Sequence, residues 1–238
     1  MQISSRIFWT PKRGNSVEEY EDAFWPPGPL DLDSKLLRFA IADGATETSF
    51  ARSWAQILTR AYCRDQLSEK KIRKYLPQFE QEWRESIGKQ ALPWYAEQKL
   101  SHGAFATFLG FTVFDGSWQA TAIGDSCLFQ LRAGRLVTAF PITSSADFNN
   151  RPGLLSSNSR NWNDEIGLIS QARGTWQPND VFYLMTDAIA CWFLRAIEHE
   201  EPALDPVRDG EPFDHWIESL RDSGMRNDDV TVLKIAVL

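Results

Sequence analysis

The amino-acid sequence predicts an α+β fold built on antiparallel sheets. Residues 104–140 consist of short apolar runs separated by turns at Asp115-Gly116 and Ala133-Gly134, and Asp-Gly between apolar runs is a strong hairpin signal. Two helical stretches come before this meander, and apolar strands lie near both ends of the chain. A meander in mid-chain excludes a doubly wound parallel sheet, because successive parallel strands need a crossover connection.

The segment before the meander predicts a helical layer. Apolar residues recur at spacings of three and four over residues 46–66 and again over residues 68–88, which places them on one face of each helix. Thr46 or Thr48 is the expected cap of the first helix. Pro77 predicts a kink or a break in the second.

The segment after the meander begins with an irregular stretch. Residues 141–164 are rich in Ser, Asn, Pro and Asp and lack periodicity, so we expect a flap over one end of a sheet. The remaining elements are predicted as strands at 165–169 and 181–186, helices at 188–198 and around 213–222, and a closing strand at 230–238.

Composition bounds the class of protein. The 238 residues, 43% of them hydrophobic, suit a single domain over residues 1–238, which we expect to be a monomer. The net charge of −7, without a basic run, argues against nucleic-acid binding. Cys63, Cys127 and Cys191 have no metal-ligand or redox spacing, which indicates a reducing, cytoplasmic location. Secretion and membrane insertion are disfavoured, since the chain has no apolar stretch of about 20 residues.

Acidic residues stand beside apolar runs at four places. They are Glu21-Asp22, Asp43-Gly44, Asp187 and Asp228-Asp229. Two carboxylates about 4 Å apart repel by about 4 kcal/mol at protein sites, so several converging acids need bound cations, and all-oxygen ligands select Mg²⁺, Mn²⁺ or Ca²⁺. Taken singly, each acid is better explained as an ordinary strand-end, N-cap or turn residue.

Six short segments, spread over nearly the whole chain, carry a pattern that no one of them shows alone. They are Tyr20–Phe24, Ile41–Gly44, Gly103–Thr107, Ile123–Ser126, Asp180–Asp187 and Asn227–Val232. No single motif is specific, but six in this order are. Their order resembles that of the type 2C metal-dependent serine/threonine protein phosphatases, in a divergent, bacterial-type form, and it favours the functional alternative for the acids.

The resemblance implies a four-layer α-β-β-α sandwich of two antiparallel sheets flanked by helices, and a dinuclear Mn²⁺ or Mg²⁺ centre. Asp43 would bridge the two ions, the Gly44 carbonyl would complete one site, and Asp187 with Asp228 would hold the other ion. The remaining implied ligands are Glu21 and Asp22, acting through water, and Asp125, which would share a third, weaker ion with Asp187. Arg13 or Lys12 is the local candidate for the phosphate-binding cation; a solvated surface charge is the equal alternative.

The implied function is hydrolysis of phosphoserine and phosphothreonine esters by a water activated between the two ions. The implied partners are a phosphorylated protein substrate and a cognate kinase. Ala45 stands where some family members have a histidine acid, the glycines expected after Gly44 are missing, and Ala188 replaces a glycine. Two alternatives therefore stay open: a pseudophosphatase that binds a phosphoprotein or kinase without turnover, and a hydrolase of small phosphoesters.

Overall fold

The four-layer sandwich expected from the sequence is confirmed. The computed structural model describes residues 1–45, 50–65, 67, 69–88, 103–149, 151–158, 162, 168–201 and 212–238. Within these ranges, two antiparallel sheets pack face to face and helices cover both outer faces. None of the described helices combines the length and apolar character that a bilayer span requires.

The elements are numbered in chain order. The strands are β1 (Gln2–Thr10), β2 (Ala23–Trp25), β3 (Leu30–Asp33), β4 (Leu36–Ala42), β5 (Phe105–Ala106), β6 (Phe108–Phe114), β7 (Ser117–Ile123), β8 (Cys127–Arg132), β9 (Arg135–Phe140), β10 (Leu155–Ser156), β11 (Ser170–Thr175), β12 (Val181–Met185) and β13 (Val230–Val237). The helices are α1 (Ala51–Cys63), α2 (Glu69–Ile87), α3 (Asp187–Glu198) and α4 (Phe213–Asp222). Short 3-10 helices cover Val17–Glu19 and Ser145–Asp147.

The predicted meander is split between the two sheets. One sheet has the order β3-β1-β13-β12-β8-β9 and the other the order β11-β7-β6-β4-β2, so β6 and β7 lie in one sheet and β8 and β9 in the other. The chain crosses between them at Gly124-Asp125-Ser126. Gly124 has a φ of 96°, and a Cβ there would lie 2.7 Å from the Gly153 carbonyl oxygen, so only glycine fits this crossing.

Three apolar layers separate the four structural layers. Phe39, Phe111 and Phe182 are among the buried residues between the sheets. Trp54 and Trp83 belong to the cluster that α1 and α2 form against the five-stranded sheet. Phe193 belongs to the matching cluster under α3 and α4. Each helix buries one apolar stripe against a sheet, which is the usual way that helices and sheets share a core.

The described elements differ from the sequence prediction in detail. The first helix runs from Ala51 to Cys63, and its expected caps at 46 and 48 lie outside the described residues. Pro77 lies inside α2 without ending it. The expected strand at 165–169 falls mostly outside the described residues, and β11 follows at Ser170.

The expected flap carries regular structure in its described part. The 3-10 helix at Ser145–Asp147 is tied to the end of α3, because Ser145 N donates to Glu198 Oε1 at 2.8 Å. Further along, β10 pairs with β5. Two anchors therefore hold this stretch against the sandwich.

Replacing Gly110 by alanine should lower the free energy of unfolding by about 1–3 kcal/mol, the usual cost of overpacking. A Cβ at Gly110 would overlap the ring of Tyr62, a buried residue of α1 whose hydroxyl is hydrogen-bonded to Thr112. Gly28→Ala is the matched control, because nothing lies within 4 Å of its added Cβ. Urea denaturation of both variants tests this, and equal losses would contradict the packing argument.

Candidate functional site

One end of the sandwich gathers strand ends from both sheets. In the five-stranded sheet, β2 begins directly after Asp22 and β4 ends directly before Asp43, and Ala23 pairs with Ala42. Because the strands are antiparallel, the next pair in this register is Asp22 with Asp43. The sheet therefore places these two acids side by side.

The six-stranded sheet adds acids at the same end. Met185 of β12 pairs with Cys127 of β8, and the same register continued by two residues puts Asp187 beside Asp125. Asp228 lies two residues before the start of β13, which pairs with β12. Asp22, Asp125, Asp187 and Asp228 all act electrostatically on Asp43, and we call these five residues the acidic cluster.

A hydroxyl group of the six-stranded sheet holds Asp22 in place. The Thr231 hydroxyl donates to Asp22 Oδ2 at 2.6 Å and also hydrogen-bonds to the Tyr20 hydroxyl. The Thr231 backbone N–H in turn donates to Thr186 Oγ1 at 2.9 Å. The Asp22 carboxylate is thereby joined to the six-stranded sheet, although Asp22 itself belongs to the other sheet.

The backbone of Asp43 is fixed by the segment between β5 and β6. Asp43 N–H donates to Thr107 Oγ1 at 3.2 Å, and Thr107 N–H donates to the Asp43 carbonyl at 2.9 Å. Thr107 also bonds to Ser126 beside Asp125, at 2.9 Å. Hydroxyls thus connect the backbone at Asp43 to the crossing that carries Asp125.

Gly44 lies where the chain closes against Glu21. A Cβ on Gly44 would lie 2.8 Å from the Glu21 carbonyl oxygen and 3.0 Å from Ala51 Cβ. Its backbone also forms an isolated bridge with Ala106. Any side chain at this position would push Glu21 and α1 away from the acidic cluster.

The paired acids Asp228 and Asp229 have different roles. Asp229 is buried and accepts backbone N–H bonds from Lys12 and Glu21, both at 2.7 Å, so it fixes the loop that carries Glu21. Asp228 keeps 30% of its side chain exposed and faces the cluster. The Arg221 guanidinium supports this turn by donating to the Asp228 carbonyl at 2.7 Å.

Sequence reasoning missed Arg226. Its Nη2 contacts Asp187 Oδ2 and lies 3.0 Å from Asp228 Oδ2, so one guanidinium bridges two carboxylates of the cluster. The only signal in the sequence is a basic residue two positions before Asp228. Nothing in that spacing says which way the side chain turns.

Arg13 and Lys12, the candidates for the phosphate-binding cation in the sequence, make contacts outside the acidic cluster. The Arg13 guanidinium pairs with Glu218 and Asp222 of α4, and Lys12 contributes its backbone N–H to Asp229. His199 and His215 are exposed, as their acidic surroundings suggest, and His102 lies outside the described residues. The assignment of Arg13 to substrate phosphate stays a prediction.

Burial and mutual repulsion raise the carboxyl pKa values of the cluster. Burial raises the pKa of Asp22 well above its ordinary value, although the hydrogen bond from Thr231 lowers it. For Asp43 the pKa is raised well above the ordinary value by burial and then by Asp22 and Asp187. Burial and Asp187 raise the pKa of Asp125 to about 7. For Asp187 burial raises the pKa, although Arg226 lowers it.

The donor chemistry fits divalent cations. Asp22 Oδ1, Asp125 Oδ1 and Asp187 Oδ1 are buried without a hydrogen-bond partner, and buried oxygens of this kind are normally satisfied. As the side chains stand, the described residues contain no group of three Asp, Glu, His or Cys arranged to hold a metal ion. The ligands suit a hard cation, but rotation of their side chains must precede binding.

Two cavities adjoin the cluster. One of about 300 Å³ lies beside Asp22, with Trp9, Tyr20 and Trp25 among its aromatic walls and Arg52 at its edge. The other, of about 80 Å³, is lined by Asp187, Arg226 and Arg195 and by residues of the neighbouring elements. Each cavity is thus bordered by a carboxylate of the cluster.

Comparison with known proteins gives, for most of the chain, the family that the sequence motifs resemble. A family model described as protein phosphatase 2C matches residues 21–232, whereas no curated protein sequence matches significantly.

Three similar solved structures are phosphatases or a regulatory component. The serine/threonine phosphatase PstP/Ppp of Mycobacterium tuberculosis is 16% identical with a TM-score of 0.62, covering 100% of this chain and 99% of that one. PppA, a key regulatory component of T6SS in Pseudomonas aeruginosa, is 18% identical with a TM-score of 0.55 and the same coverage. The catalytic domain of PstP in complex with two manganese ions is 17% identical with a TM-score of 0.54, covering 99% of each chain. At these identities the likeness shows the fold.

The stability of the metal-free protein should fall as pH rises through the range in which Asp125 ionises. Its folded pKa of about 7 lies above the ordinary value of about 3.9, so the folded state holds a proton that the unfolded state has lost. The stabilisation is complete below about pH 4 and is lost as the pH approaches 7. The Asp125→Asn variant should lack the part of this decrease in stability that Asp125 contributes.

Urea denaturation in EDTA from pH 4 to pH 7 tests this. The difference between wild type and Asp125→Asn is the informative quantity, because carboxylates outside the acidic cluster act on both proteins alike. Asp214→Asn, at an exposed position of α4, is the control and should keep the wild-type slope. Identical slopes for all three proteins would contradict the assignment.

Proposed function

Since the chain belongs to the protein phosphatase 2C family, we propose that it is a metal-dependent phosphoprotein phosphatase that hydrolyses phosphoserine and phosphothreonine esters. The observation that carries the proposal is the acidic cluster, in which three carboxylates from strand ends of both sheets keep a buried, unpartnered oxygen. Clustered buried charge is costly, and such perturbed groups are concentrated at functional sites.

The proposed centre takes Mn²⁺ or Mg²⁺, two ions with a third, weaker one. Asp43 and the Gly44 carbonyl belong to one site, and Asp187 with Asp228 to the other. Glu21 and Asp22 act through water, and Asp125 shares the third ion with Asp187. Oxygen-only donors favour these ions over zinc, and the fold shared with the manganese-bound PstP domain supports the number of ions.

When bound, the ions would supply Lewis acidity, lowering the pKa of the attacking water and neutralising phosphoryl charge. The protein's own residues position the carboxylates. The hydrogen bonds that join the Tyr20 hydroxyl to the Thr231 hydroxyl, and the Thr231 hydroxyl to the carboxylate, orient Asp22. Thr107 fixes the backbone of Asp43. At Ala45, where the backbone N–H donates to the Phe105 carbonyl at 2.9 Å, no imidazole is available. The proton for the leaving group therefore comes from water.

The substrate class follows from the shape and charge around the cluster. The aromatic cavity beside Asp22, with Arg52 at its edge, suits a side chain that flanks the phosphorylated residue of a protein. A net charge of −7 opposes nucleic-acid substrates. The proposed partners are accordingly a phosphoprotein and the kinase that phosphorylates it.

One observation favours a second candidate, a pseudophosphatase that binds a phosphoprotein or kinase without turnover. Arg226 already neutralises Asp187 and Asp228, so these two carboxylates have a counter-ion without any metal. A scaffold could retain the acids in this form. Turnover of the wild-type protein separates the two candidates.

Asp187→Asn and Asp228→Asn should each abolish Mn²⁺-dependent hydrolysis of a phosphothreonine peptide and of p-nitrophenyl phosphate. Loss of a ligand removes several kcal/mol of transition-state stabilisation, which is about a hundredfold or more in kcat. Initial rates with and without Mn²⁺, with circular dichroism as a check of folding, test this.

The control is Asp214→Asn, which changes the same charge at an exposed position of α4 and should keep wild-type rates. Full activity of either cluster variant at saturating Mn²⁺ would refute the ligand assignment. A wild-type protein that binds the phosphopeptide but gives no turnover with Mn²⁺ or Mg²⁺ would establish the pseudophosphatase instead.

A further inference from the structure

Arg226 occupies the position of a cation in the acidic cluster. It lies in the turn between α4 and β13, with 48% of its side chain exposed. Its Nη2 is shared between Asp187 Oδ2 and Asp228 Oδ2. These are the two side chains that the proposed function assigns to one divalent ion.

The guanidinium and the ion cannot use these oxygens together. Two cations at this spacing repel each other, and a carboxylate oxygen already bound to an N–H donor has less to offer a metal. Binding of the ion therefore requires Arg226 to leave both carboxylates. The half-exposed side chain allows this, because no backbone has to move with it.

The released guanidinium is well placed to bind an anion. Within the described part of the chain, Arg226 contacts its protein partners through Nη2 alone, so its release frees Nη2 to donate together with Nε or with Nη1. It also lines the 80 Å³ cavity next to Asp187. A planar guanidinium fork matches phosphoryl oxygens in a bidentate way.

The residue that sequence reasoning proposed for this task is engaged elsewhere. Arg13 binds Glu218 and Asp222 of α4, and reaching a substrate would require both ion pairs to break. Arg226 would exchange one set of anionic oxygens for another within the same site. The guanidinium would then be paired with anionic oxygens both in the metal-free site and in the complex with substrate.

We propose that Arg226 is the phosphoryl-binding residue of this site, held by Asp187 and Asp228 until a divalent ion displaces it. This inference rests on the proposed function for its substrate and for the assignment of a divalent ion to Asp187 and Asp228, but not on turnover. It predicts opposite effects of one substitution: removing the guanidinium strengthens binding of the ion and weakens binding of the phosphoryl group.

The first measurement uses Mn²⁺ alone, without substrate. Titration calorimetry should show Arg226→Gln binding Mn²⁺ about fivefold to tenfold more tightly than wild type, since the ion no longer competes with a partly exposed ion pair. Arg226→Lys keeps the charge and should stay within about twofold of wild type. Arg195→Gln is the matched control, because Arg195 lines the same cavity without an ion pair to the cluster, and its Mn²⁺ affinity should be unchanged.

The second measurement uses phenylphosphonate, a phosphoester analogue that is not hydrolysed, at saturating Mn²⁺. Both Arg226→Gln and Arg226→Lys should bind it about tenfold more weakly, because neither retains the bidentate fork. In kinetics, the same variants should raise KM for p-nitrophenyl phosphate more than they lower kcat.

The outcomes separate this inference from the proposed function. Unchanged or weaker Mn²⁺ binding in Arg226→Gln would overturn the exchange, and unchanged phenylphosphonate binding would overturn the phosphoryl role. If Arg226→Gln does not fold, Arg226→Lys still tests the exchange. An affinity of Arg226→Lys for Mn²⁺ more than about twofold below that of wild type would overturn it. If the Arg226 variants show both predicted binding effects but the wild-type protein gives no turnover, the proposed phosphatase activity is removed and the role of Arg226 stands.

Discussion

Repulsion among the five carboxylates of the acidic cluster governs the structure at one end of the sandwich. Two sheets bring their strand ends together there, and each sheet contributes acids at adjacent register positions. In a folded chain such repulsion has to be offset by hydrogen bonds, protons or cations. The structure uses hydroxyl donors at Asp22, raised pKa values at Asp43 and Asp125, and a guanidinium at Asp187 and Asp228.

The backbone around the cluster reflects the same constraint. Gly44 and Gly124 allow the chain to approach where a Cβ would contact a carbonyl oxygen at 2.8 Å and 2.7 Å, respectively. Asp229 takes up two backbone N–H groups and so ties the start of the Glu21 loop to β13. These features explain why short acidic motifs far apart in the sequence meet with their backbones fixed.

Much of the fold was accessible from the sequence, because apolar periodicity and turn residues report local structure directly. The antiparallel meander, both amphipathic helices and the strand-end position of Asp43 follow from such patterns. The division of the meander between two sheets did not follow, because period-two alternation is the same whichever sheet a strand joins. It depends on the Gly124 crossing, which a local pattern does not distinguish from an ordinary turn.

The sequence singled out the acids that the structure brings together but missed Arg226, for a similar reason. Carboxylates at strand ends are placed by the backbone, so register determines where they meet. A long arginine side chain in a turn can face solvent or the cluster, and only the tertiary structure decides between them. Arg226 faces the cluster because Asp187, at the first turn of α3, and Asp228, before β13, leave adjacent oxygens that a half-exposed guanidinium can reach.

The departures from the family pattern are consistent with this arrangement. Ala188 is buried in the first turn of α3, where alanine favours helix more than glycine does, so the helix can begin at Asp187 itself. The positive end of a helix stabilises a carboxylate at that place. Asp187 is thereby fixed by secondary structure, while its counter-ion is carried on a turn. The carboxylates thus sit on fixed backbone while their counter-ion sits on an exposed side chain, and this arrangement suits the replacement of one cation by another.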